Sequence, residues 1–419
     1  MIAGLSFVGL VIAGLPIAFI LLAVAIIYIL SSGNTVLLAS LPQQLFGGLE
    51  SYGLLALPLF ILLGELMNEG GIGRRLMGLA MSIIGSVRGG LAYVNLLANV
   101  MMASILGSTV AQITVMSRMA VPEMDRAGYP RDISAAITAA GGLLAPVIPP
   151  SMLFIIYGVV AQISIGDLFV AGVVPGLMMA VSFFVVIAIL GRIYNFPEGE
   201  RYNWSQRFKA LCDALPAVII PVTIIGTILG GIATPTESAV LAIVASVLVG
   251  RFVYGELEFS HLAPAFVRAA RGAAVVLFLI AAAQVFSWVI TFENLPATVA
   301  VFLQSLTESP TVFLLLVVAL LLVLGMFTDP IPAIILVVPV LLPVATNVYG
   351  VDPFHFGMIV CLTLVVGLLT PPVGTGLFTA ALMTGVKAER IALMTMPFLM
   401  ATMAVILAIV FFPVLLKLV

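Results

Sequence analysis

One carboxylate stands in the middle of a long apolar segment of this chain. Asp329 follows Gly325-Met-Phe-Thr328 and precedes Pro330, and residues 311–347 contain no lysine or arginine. A carboxylate at membrane depth is costly unless it is paired, so such acids are candidates for function. We predict that Asp329 binds a cation, and the alternative is an ordinary carboxylate in an aqueous loop.

A second polar turn lies about 220 positions earlier in the apolar sequence. Ser104-Ile-Leu-Gly-Ser108-Thr109 offers hydroxyls and carbonyls without a charge. Oxygen ligands of these kinds suit a hard monovalent cation better than a transition metal. Both polar turns are therefore candidate tips of helical hairpins that carry cation ligands.

Two further segments place the same Gly-Leu-Leu-x-Pro order inside apolar sequence, from Gly142 to Pro146 and from Gly367 to Pro371. Proline removes a backbone donor, and glycine permits the non-helical backbone that a break requires. Broken backbone at membrane depth survives only where protein or a water-filled cavity covers it. We predict two broken helices whose freed carbonyls suit Na⁺ and whose freed amides suit an anion.

The composition predicts an all-α polytopic membrane protein. Of 419 residues, 63% are hydrophobic and 8% are charged, and the mean hydropathy is +1.31, whereas soluble domains carry about 25% charge. At about 20 residues a span, the chain accommodates about ten crossings. It contains no nucleotide-binding glycine motif, so we expect no ATP hydrolysis by this chain. The spacing of its Cys and His residues predicts neither a disulfide nor a transition-metal site.

Apolar runs give the predicted membrane elements. The predicted spans lie near 15–31, 52–69, 132–163, 168–191, 211–229, 235–253, 272–291, 354–383 and 391–416. Two other regions, about 89–120 and about 311–347, are predicted to be re-entrant hairpins. In the first of them the apolar pieces are only about 14 and 9 residues, which are too short to cross a core of about 30 Å. Amphipathic pieces at 74–86 and 261–272 are predicted to be interfacial arms.

The positions of the basic residues predict how the chain is oriented in the membrane. Short loops rich in lysine and arginine stay in the cytoplasm, and this arrangement puts all of the 16 Lys and Arg residues except Lys417 on one side. The two hairpins then open to opposite sides of the membrane. We predict two inverted-topology repeats, residues 1–195 and 211–419, joined by a cytoplasmic connector, residues 196–210. This architecture is typical of secondary transporters.

Other polar residues have simpler interpretations. Thr234-Pro-Thr-Glu237 is typical of a capped helix start, and the alternative is that Glu237 has a direct role in transport. Asn95, Asn99 and Gln112 lie along the first hairpin. Amides in lipid usually bond between helices, so we expect packing, with substrate contact as the alternative.

Four segments resemble one known family. They are Gly14–Phe19, Tyr52–Phe60, Leu143-Leu-Ala-Pro-Val-Ile-Pro-Pro-Ser151 and, most specifically, Gly230-Gly-Ile-Ala-Thr-Pro-Thr-Glu-Ser-Ala239. Along essentially its whole length the chain resembles the large membrane subunit of tripartite ATP-independent periplasmic (TRAP) transporters, within the wider ion-transporter superfamily.

The resemblance implies a multi-pass carrier in the bacterial inner membrane, not an enzyme. It implies import of a small organic acid, such as a dicarboxylate, sialic acid or sugar acid, driven by a Na⁺ gradient. The expected partners are a soluble periplasmic substrate-binding protein, a small four-helix membrane subunit and the lipid bilayer, and we expect no nucleic acid. No cofactor is expected besides Na⁺ as the coupling ion. The expected mechanism is an elevator, in which hairpins and broken helices move as a transport domain against a fixed scaffold.

Site residues follow from the resemblance by position in the tips and breaks. The expected Na⁺ ligands are Ser108, Thr109, Gly142, Pro146, Gly325, Thr328, Asp329, Gly367 and Thr370. The expected contacts to the organic acid are Ser104, Pro150, Ser151, Gly374 and Thr375. No basic residue is predicted at membrane depth, so backbone amides and hydroxyls would hold the carboxylate.

Three other functions fit the sequence less well. A stand-alone Na⁺-coupled dicarboxylate carrier would need no binding protein. An ion channel is disfavoured because two different hairpins in inverted halves suit alternating access better than a symmetric filter. An intramembrane hydrolase would need a catalytic pair at depth, whereas Asp329 is a single deep aspartate and His355 has no nucleophile partner in sequence.

Overall fold

The structure is a computed structural model, and it describes residues 2–199 and 203–417. Within these ranges the secondary structure is helical without a β-strand. The one isolated β-bridge there joins Arg88 to Glu198, beside a hydrogen bond from the Gly89 amide to the Pro197 carbonyl at 2.9 Å. Residues 200–202 of the predicted connector lie outside the described residues. The prediction of an all-α protein is confirmed.

The helices follow one another with short connections. In the first half they are α1 Ile2–Ile12, α2 Ile17–Ser31, α3 Leu37–Gly47, α4 Ala56–Glu69, α5 Ile72–Ile84, α6 Gly90–Leu106, α7 Thr109–Arg126, α8 Arg131–Gly142, α9 Met152–Ala161 and α10 Ile165–Ile193. In the second half they are α11 Trp204–Leu229, α12 Pro235–Leu248, α13 Phe259–Phe292, α14 Leu295–Leu306, α15 Pro310–Phe327, α16 Pro330–Asn347, α17 Pro353–Gly367, α18 Thr375–Thr384 and α19 Ala388–Phe411. Short 3₁₀ helices cover Tyr52–Leu55 and Pro413–Lys417, and a π-helix covers Val249–Val253.

Eight helical segments of the described chain are long and apolar enough to cross a membrane. They are Tyr52–Glu69, Ile165–Ile193, Trp204–Ile228, Pro235–Val253, Phe259–Phe292, Pro310–Phe327, Pro330–Asn347 and Ala388–Phe411. Six shorter apolar helices of 10 to 17 residues accompany them, among them α6, α9, α17 and α18. Eight such helices fit a polytopic membrane protein.

The structure corrects the predicted arm at 261–272. This stretch belongs to α13, a continuous helix of 34 residues, so it is not a separate interfacial element. The physical reason is that Arg268 donates to two carboxylates of α4, Glu65 at 2.6 Å and Glu69 at 2.7 Å. Because its charge is paired by a neighbouring helix, α13 continues through a stretch that looks amphipathic in isolation.

Several helix boundaries also differ from the predicted ones. The first hairpin has helices of 17 and 18 residues, because α7 stays helical through polar sequence as far as Arg126. Helix α11 begins at Trp204, inside the predicted connector, where Asn203 and Gln206 form a capping box. Helices α3 and α14 were not predicted. The first segment is divided into α1 and α2 near Gly14, whose φ is +73°.

The helix order of the first half recurs in the second half. Helices α5 to α10 begin between 220 and 223 positions before α14 to α19, respectively. The packing follows the same correspondence. Helix α7 packs against α18, and their counterparts, α16 and α9, also pack against each other. Outside these helices, α13 packs against both α2 and α4, and α12 packs against α4.

Glycine permits a close helix contact in the second half. Helices α15 and α17 meet where Gly325 faces Gly367, and a Cβ built on Gly367 would lie 2.5 Å from the Gly325 Cα and 2.6 Å from its carbonyl oxygen. No side chain fits between these backbones. The contact fixes the end of α15 against the point at which α17 breaks.

This contact predicts the result of Gly367→Ala. The added methyl group must push α15 away, and we expect a loss of about 1–3 kcal/mol or more in stability, measured as a lower thermal midpoint in detergent. The control is Gly226→Ala in α11, because no atom lies within 4 Å of a Cβ built there. That variant should show no loss. A Gly367→Ala protein as stable as the wild type would contradict the close contact.

Candidate functional site

Both broken helices end in the same way. After Gly142 and after Gly367, the next three backbone amides donate to the carbonyl three residues back, at distances between 3.0 and 3.3 Å. These bonds tighten the last turn before the chain leaves the helix. The chain resumes as α9 at Met152 and as α18 at Thr375.

Each hairpin tip lies against the break of its own half. A Cβ built on Gly107 at the first tip would lie 3.5 Å from the Met152 amide nitrogen and 3.8 Å from the Pro150 carbonyl oxygen. At the second tip, the Gly374 amide donates to the Met326 carbonyl at 3.2 Å. Tips and breaks that are far apart in the sequence therefore form two local units.

The two units meet at the first turns of α7. A Cβ built on Gly142 would lie 2.5 Å from Ile113 Cγ1, and a Cβ built on Gly376 would lie 3.3 Å from Ile113 Cδ1. Ile113 therefore lies between the first break and the start of α18. This contact could not be predicted from the sequence, because Gly376 is 263 positions from Ile113.

The second tip presents Asp329 at the start of α16. One carboxylate oxygen, Oδ1, accepts a hydrogen bond from the Ile331 amide at 3.2 Å, and the side chain is exposed. Thr328 and Thr370 donate their hydroxyls to the Leu324 and Val366 carbonyls, at 2.9 and 2.8 Å. Asp329 has no ion-pair partner among the described residues, so its charge is available to a ligand.

The hydroxyls at the first tip differ from those at the second tip in their hydrogen bonding. Ser108 precedes α7 and makes no side-chain cap, and the Thr109 side chain is buried, with its hydroxyl unpaired among the described residues. The hydroxyl of Thr375, at the start of α18, is also buried and unpaired there. Ser104 donates to the Met101 carbonyl at 3.0 Å.

Ser151 is enclosed within the first break. Its hydroxyl donates to the Pro146 carbonyl at 2.5 Å and accepts from the Phe154 amide at 3.2 Å. The residue is fully buried. Its side chain therefore holds the two sides of the break together.

A chain of buried amides joins the first hairpin to the first broken helix. Asn95 donates to Thr138 at 2.7 Å, and Asn99 donates to the Asn95 side chain at 2.9 Å. Gln112 donates to the Asn99 side chain at 2.9 Å and to the Gly141 carbonyl at 3.2 Å. All three amide side chains are at most 1% exposed. The interpretation of these residues as interhelical packing is confirmed.

Glu237 acts as a helix cap. Its carboxylate accepts from the Thr234 amide at 2.8 Å, and its own amide donates to the Thr234 hydroxyl at 3.3 Å. The predicted capped helix start is therefore confirmed. Glu237 also lines a cavity of about 810 Å³ with Asp167 and Gln162, between the start of α10 and the turn that joins α11 to α12.

Ion pairs tie together helices away from the tips and breaks. Glu256 pairs with both Arg74 and Arg75 of α5, and Arg75 lies 4.2 Å from the ring centroid of Tyr254. Burial raises the pKa of the Tyr254 phenol, which stays protonated and donates to the Asp213 carbonyl at 2.9 Å. Sequence analysis missed these pairs because their partners are separated by more than 40 positions.

Comparison with known proteins identifies the family. Residues 5–415 match the family described as "Tripartite ATP-independent periplasmic transporter, DctM component". The chain therefore belongs to this family of transporter permeases, and the prediction that it is not an enzyme is confirmed. The predicted resemblance to the TRAP large membrane subunit is confirmed as well.

Curated relatives match over almost the full chain. A putative TRAP transporter large permease protein of Haemophilus influenzae is 37% identical, covering 97% of this chain and 95% of the relative. The 2,3-diketo-L-gulonate large permease YiaN of Escherichia coli is 35% identical, with coverages of 96% and 94%. The sialic acid large permease SiaM of Vibrio cholerae is 33% identical, with coverages of 97% and 95%.

Two solved structures share the fold at low sequence identity. The YdaH transporter of Alcanivorax borkumensis has a TM-score of 0.67 at 14% identity, covering 91% of this chain and 89% of that one. MtrF of Neisseria gonorrhoeae has a TM-score of 0.62 at 12% identity, with coverages of 90% and 84%. At this identity the similarity concerns the fold alone.

The buried amide chain predicts the effect of Asn99→Ala. This variant leaves the Asn95 side-chain oxygen without its hydrogen-bond donor in the interior, and an unsatisfied buried group costs about 1–3 kcal/mol. We expect a markedly lower thermal midpoint in detergent and faster proteolytic cleavage within the first hairpin. Asn68→Ala is the matched control, because Asn68 is exposed on α4. Equal midpoints for the two variants would contradict a structural role of the amide chain.

Proposed function

We propose that this chain is the membrane permease of a Na⁺-coupled importer of a small organic acid. The observation that carries the proposal is its membership of a tripartite, ATP-independent transporter family over residues 5–415. Relatives are named for 2,3-diketo-L-gulonate, sialic acid and C4-dicarboxylates, which are carboxylic acids, and one is named for isethionate, a sulfonic acid. Most of these relatives are thus named for a carboxylic acid. The substrate of this chain is therefore proposed to carry a carboxylate.

The proposed partners are a soluble periplasmic binding protein and a small four-helix membrane subunit, in the bacterial inner membrane. One relative, the isethionate permease DctMQ, is 34% identical, and this chain covers only 63% of it. The extra length of that relative leaves room for a fused second component. A separate small subunit would supply the same component here.

The proposed architecture is a pair of inverted repeats, residues 1–195 and 211–419. The regular spacing of α5–α10 and α14–α19 supports it, as does the exchange of contacts between α7 and α18 and between α9 and α16. In an elevator mechanism, α6–α10 and α15–α19 would form the moving transport domain. The other helices would form the scaffold, which the ion pairs of Arg268 and Glu256 hold together.

Na⁺ is proposed to bind at both tips, where oxygen atoms are available beside a break. Asp329, without an ion-pair partner among the described residues, provides the charge at the second tip. The remaining ligands are proposed from the family resemblance, by their positions in the tips and breaks. They are Ser108, Thr109, Gly142 and Pro146 at the first tip and Gly325, Thr328, Gly367 and Thr370 at the second. Na⁺ binding would hold each tip on its break before the acid binds.

Transport by reconstituted protein tests the proposal. Uptake of labelled succinate, D-gluconate and N-acetylneuraminate is measured in proteoliposomes under an inward Na⁺ gradient. We expect uptake of one of these acids, or of a related one, only when this chain, its small subunit and its binding protein are all present. Uptake by the chain alone would instead favour a stand-alone carrier. Uptake that is unaffected by Na⁺ would refute the coupling.

Asp329→Asn tests the proposed cation site. Asparagine is as good an N-cap as aspartate, so α16 should remain intact while the charge is lost. Losing a charged interaction of about 1.5–3 kcal/mol should raise the Na⁺ concentration for half-maximal uptake about tenfold or more.

Asp352→Asn is the matched control for this variant. Asp352 also caps a helix immediately before a proline, accepting from the Phe354 amide at 2.9 Å and the His355 amide at 3.1 Å. Its replacement should leave the Na⁺ dependence unchanged. If Asp329→Asn keeps the Na⁺ dependence of the wild type, Asp329 is not a ligand.

A further inference from the structure

Two connections of the chain meet on one side of the molecule and bring three arginines together. Arg88 lies between α5 and α6, and it donates to the Asn195 side-chain oxygen at 3.1 Å. Arg192 lies in the last turn of α10, three residues before Asn195. Arg207, near the start of α11, donates to the Ser86 hydroxyl at 3.2 Å, and Ser86 is two residues before Arg88. We call Arg88, Arg192 and Arg207 the basic patch.

The described carboxylates do not neutralise the basic patch. None of its three guanidinium groups forms an ion pair among the described residues. Glu198 is connected to Arg88 by the β-bridge, which joins the two backbones and not the side chains. Glu256 is already paired with two arginines of α5. The patch therefore carries a positive charge that this part of the chain does not compensate.

Arg207 has a donor for which the described chain offers no acceptor. Its Nε is buried without a hydrogen-bond partner among the described residues, although the side chain as a whole is only half-buried. A buried donor of a charged group is costly when it stays unsatisfied. A guanidinium group presents its donors in a planar fork that matches two oxygens of a phosphate. A phosphate beside Arg207 would give Nε an acceptor and would also compensate the charge.

Exposed apolar side chains surround the basic patch. Trp204 and Leu211 lie three residues before and four residues after Arg207, so they share its face of α11, and they are 77% and 48% exposed. Val87 and Ile193, each next to another arginine of the patch in the sequence, are also exposed. Tryptophan is enriched where a membrane meets water. A phosphate dissolved in water makes no use of such a surface, whereas the acyl chains of a phospholipid would cover it.

The predicted orientation favours the same ligand. All three arginines belong to the basic residues that the sequence places on the cytoplasmic side. Anionic lipids give the cytoplasmic leaflet a negative surface potential, which attracts basic residues beside a membrane helix. Helix α11, which carries Arg207, is one of the segments long and apolar enough to cross a membrane.

We propose that the basic patch binds the phosphate group of an anionic phospholipid. Arg207 donates its Nε to a phosphate oxygen, and Arg88 and Arg192 balance the negative charge. The acyl chains lie along Trp204 and Leu211. This inference goes beyond the proposed function, because the lipid is not the transported acid. The bound lipid holds α11 against both connections, since each of them contributes an arginine to the patch.

Lipid titration of the purified protein identifies the ligand. The delipidated full chain in a neutral detergent is titrated with dioleoylphosphatidylglycerol while its thermal midpoint is followed. We expect a saturable rise with this lipid and a much smaller rise with dioleoylphosphatidylcholine, whose headgroup has no net charge. Inorganic phosphate at equal concentration should have little effect, because it lacks acyl chains. An equal rise with inorganic phosphate would identify a free anion as the ligand, and an equal rise with phosphatidylcholine would exclude a role of net charge. Either result would overturn the inference.

Two substitutions within the patch test its residues. Arg207→Gln should raise the phosphatidylglycerol concentration for the half-maximal effect about tenfold or more, since a hydrogen bond to a charged group is lost. Arg207→Lys keeps the charge without the planar fork and should give an intermediate value. Arg192→Gln should raise the same concentration about fivefold. Because the Arg192 side chain is exposed and makes no hydrogen bond among the described residues, its replacement should leave the lipid-free midpoint unchanged.

Arg271→Gln is the matched control. Arg271 is exposed on α13, outside the basic patch and on the same predicted side of the membrane. Its replacement removes the same charge, and the half-maximal concentration should stay within about twofold of the wild-type value. Equal weakening by Arg207→Gln and Arg271→Gln would show attraction to the overall charge alone and would refute the site. A wild-type protein that does not respond to phosphatidylglycerol would refute it too, independently of any uptake experiment.

Discussion

The structure depends on one constraint, which is that broken helices inside an apolar protein must have their backbone covered. Three hydrogen bonds near the breaks serve this requirement. Ser151 donates to the Pro146 carbonyl, Gln112 donates to the Gly141 carbonyl, and the Gly374 amide donates to the Met326 carbonyl at the end of α15. The breaks can therefore expose only a few polar groups, and those few define where a ligand can bind.

The two halves meet this constraint by different means. The first hairpin is held to its broken helix by side-chain amides, which are directional and need accurate placement. The second is held by the close backbone contact of Gly325 with Gly367 and by one main-chain hydrogen bond. At the positions corresponding to Asn95 and Asn99, 220 residues later, the second half has Leu315 and Ala319. Similar architectures are thus stabilised by polar interactions in one half and by packing in the other.

The sequence revealed those parts of the fold that local chemistry determines. Glycine and proline mark the tips and breaks, and Thr234 with Glu237 marks a helix start, because backbone preference and capping act over a few residues. Contacts between distant segments could not be predicted in this way. The pairing of Arg268 with Glu65 depends on how α13 packs against α4, and the position of Ile113 between two breaks depends on the assembly of both halves. For the same reason, the sequence did not distinguish the capped helix starts from the uncapped ones.

The contact between the segments around Arg88 and Glu198 has a mechanical consequence. These segments connect α5 to α6 and α10 to α11, and they are joined by the β-bridge and by the Gly89–Pro197 hydrogen bond. If α6–α10 move as a body, the chain enters and leaves that body through what is effectively a single joint. A rotation there bends both connections about nearly the same axis, so α6–α10 would turn about the one place where the two connections meet.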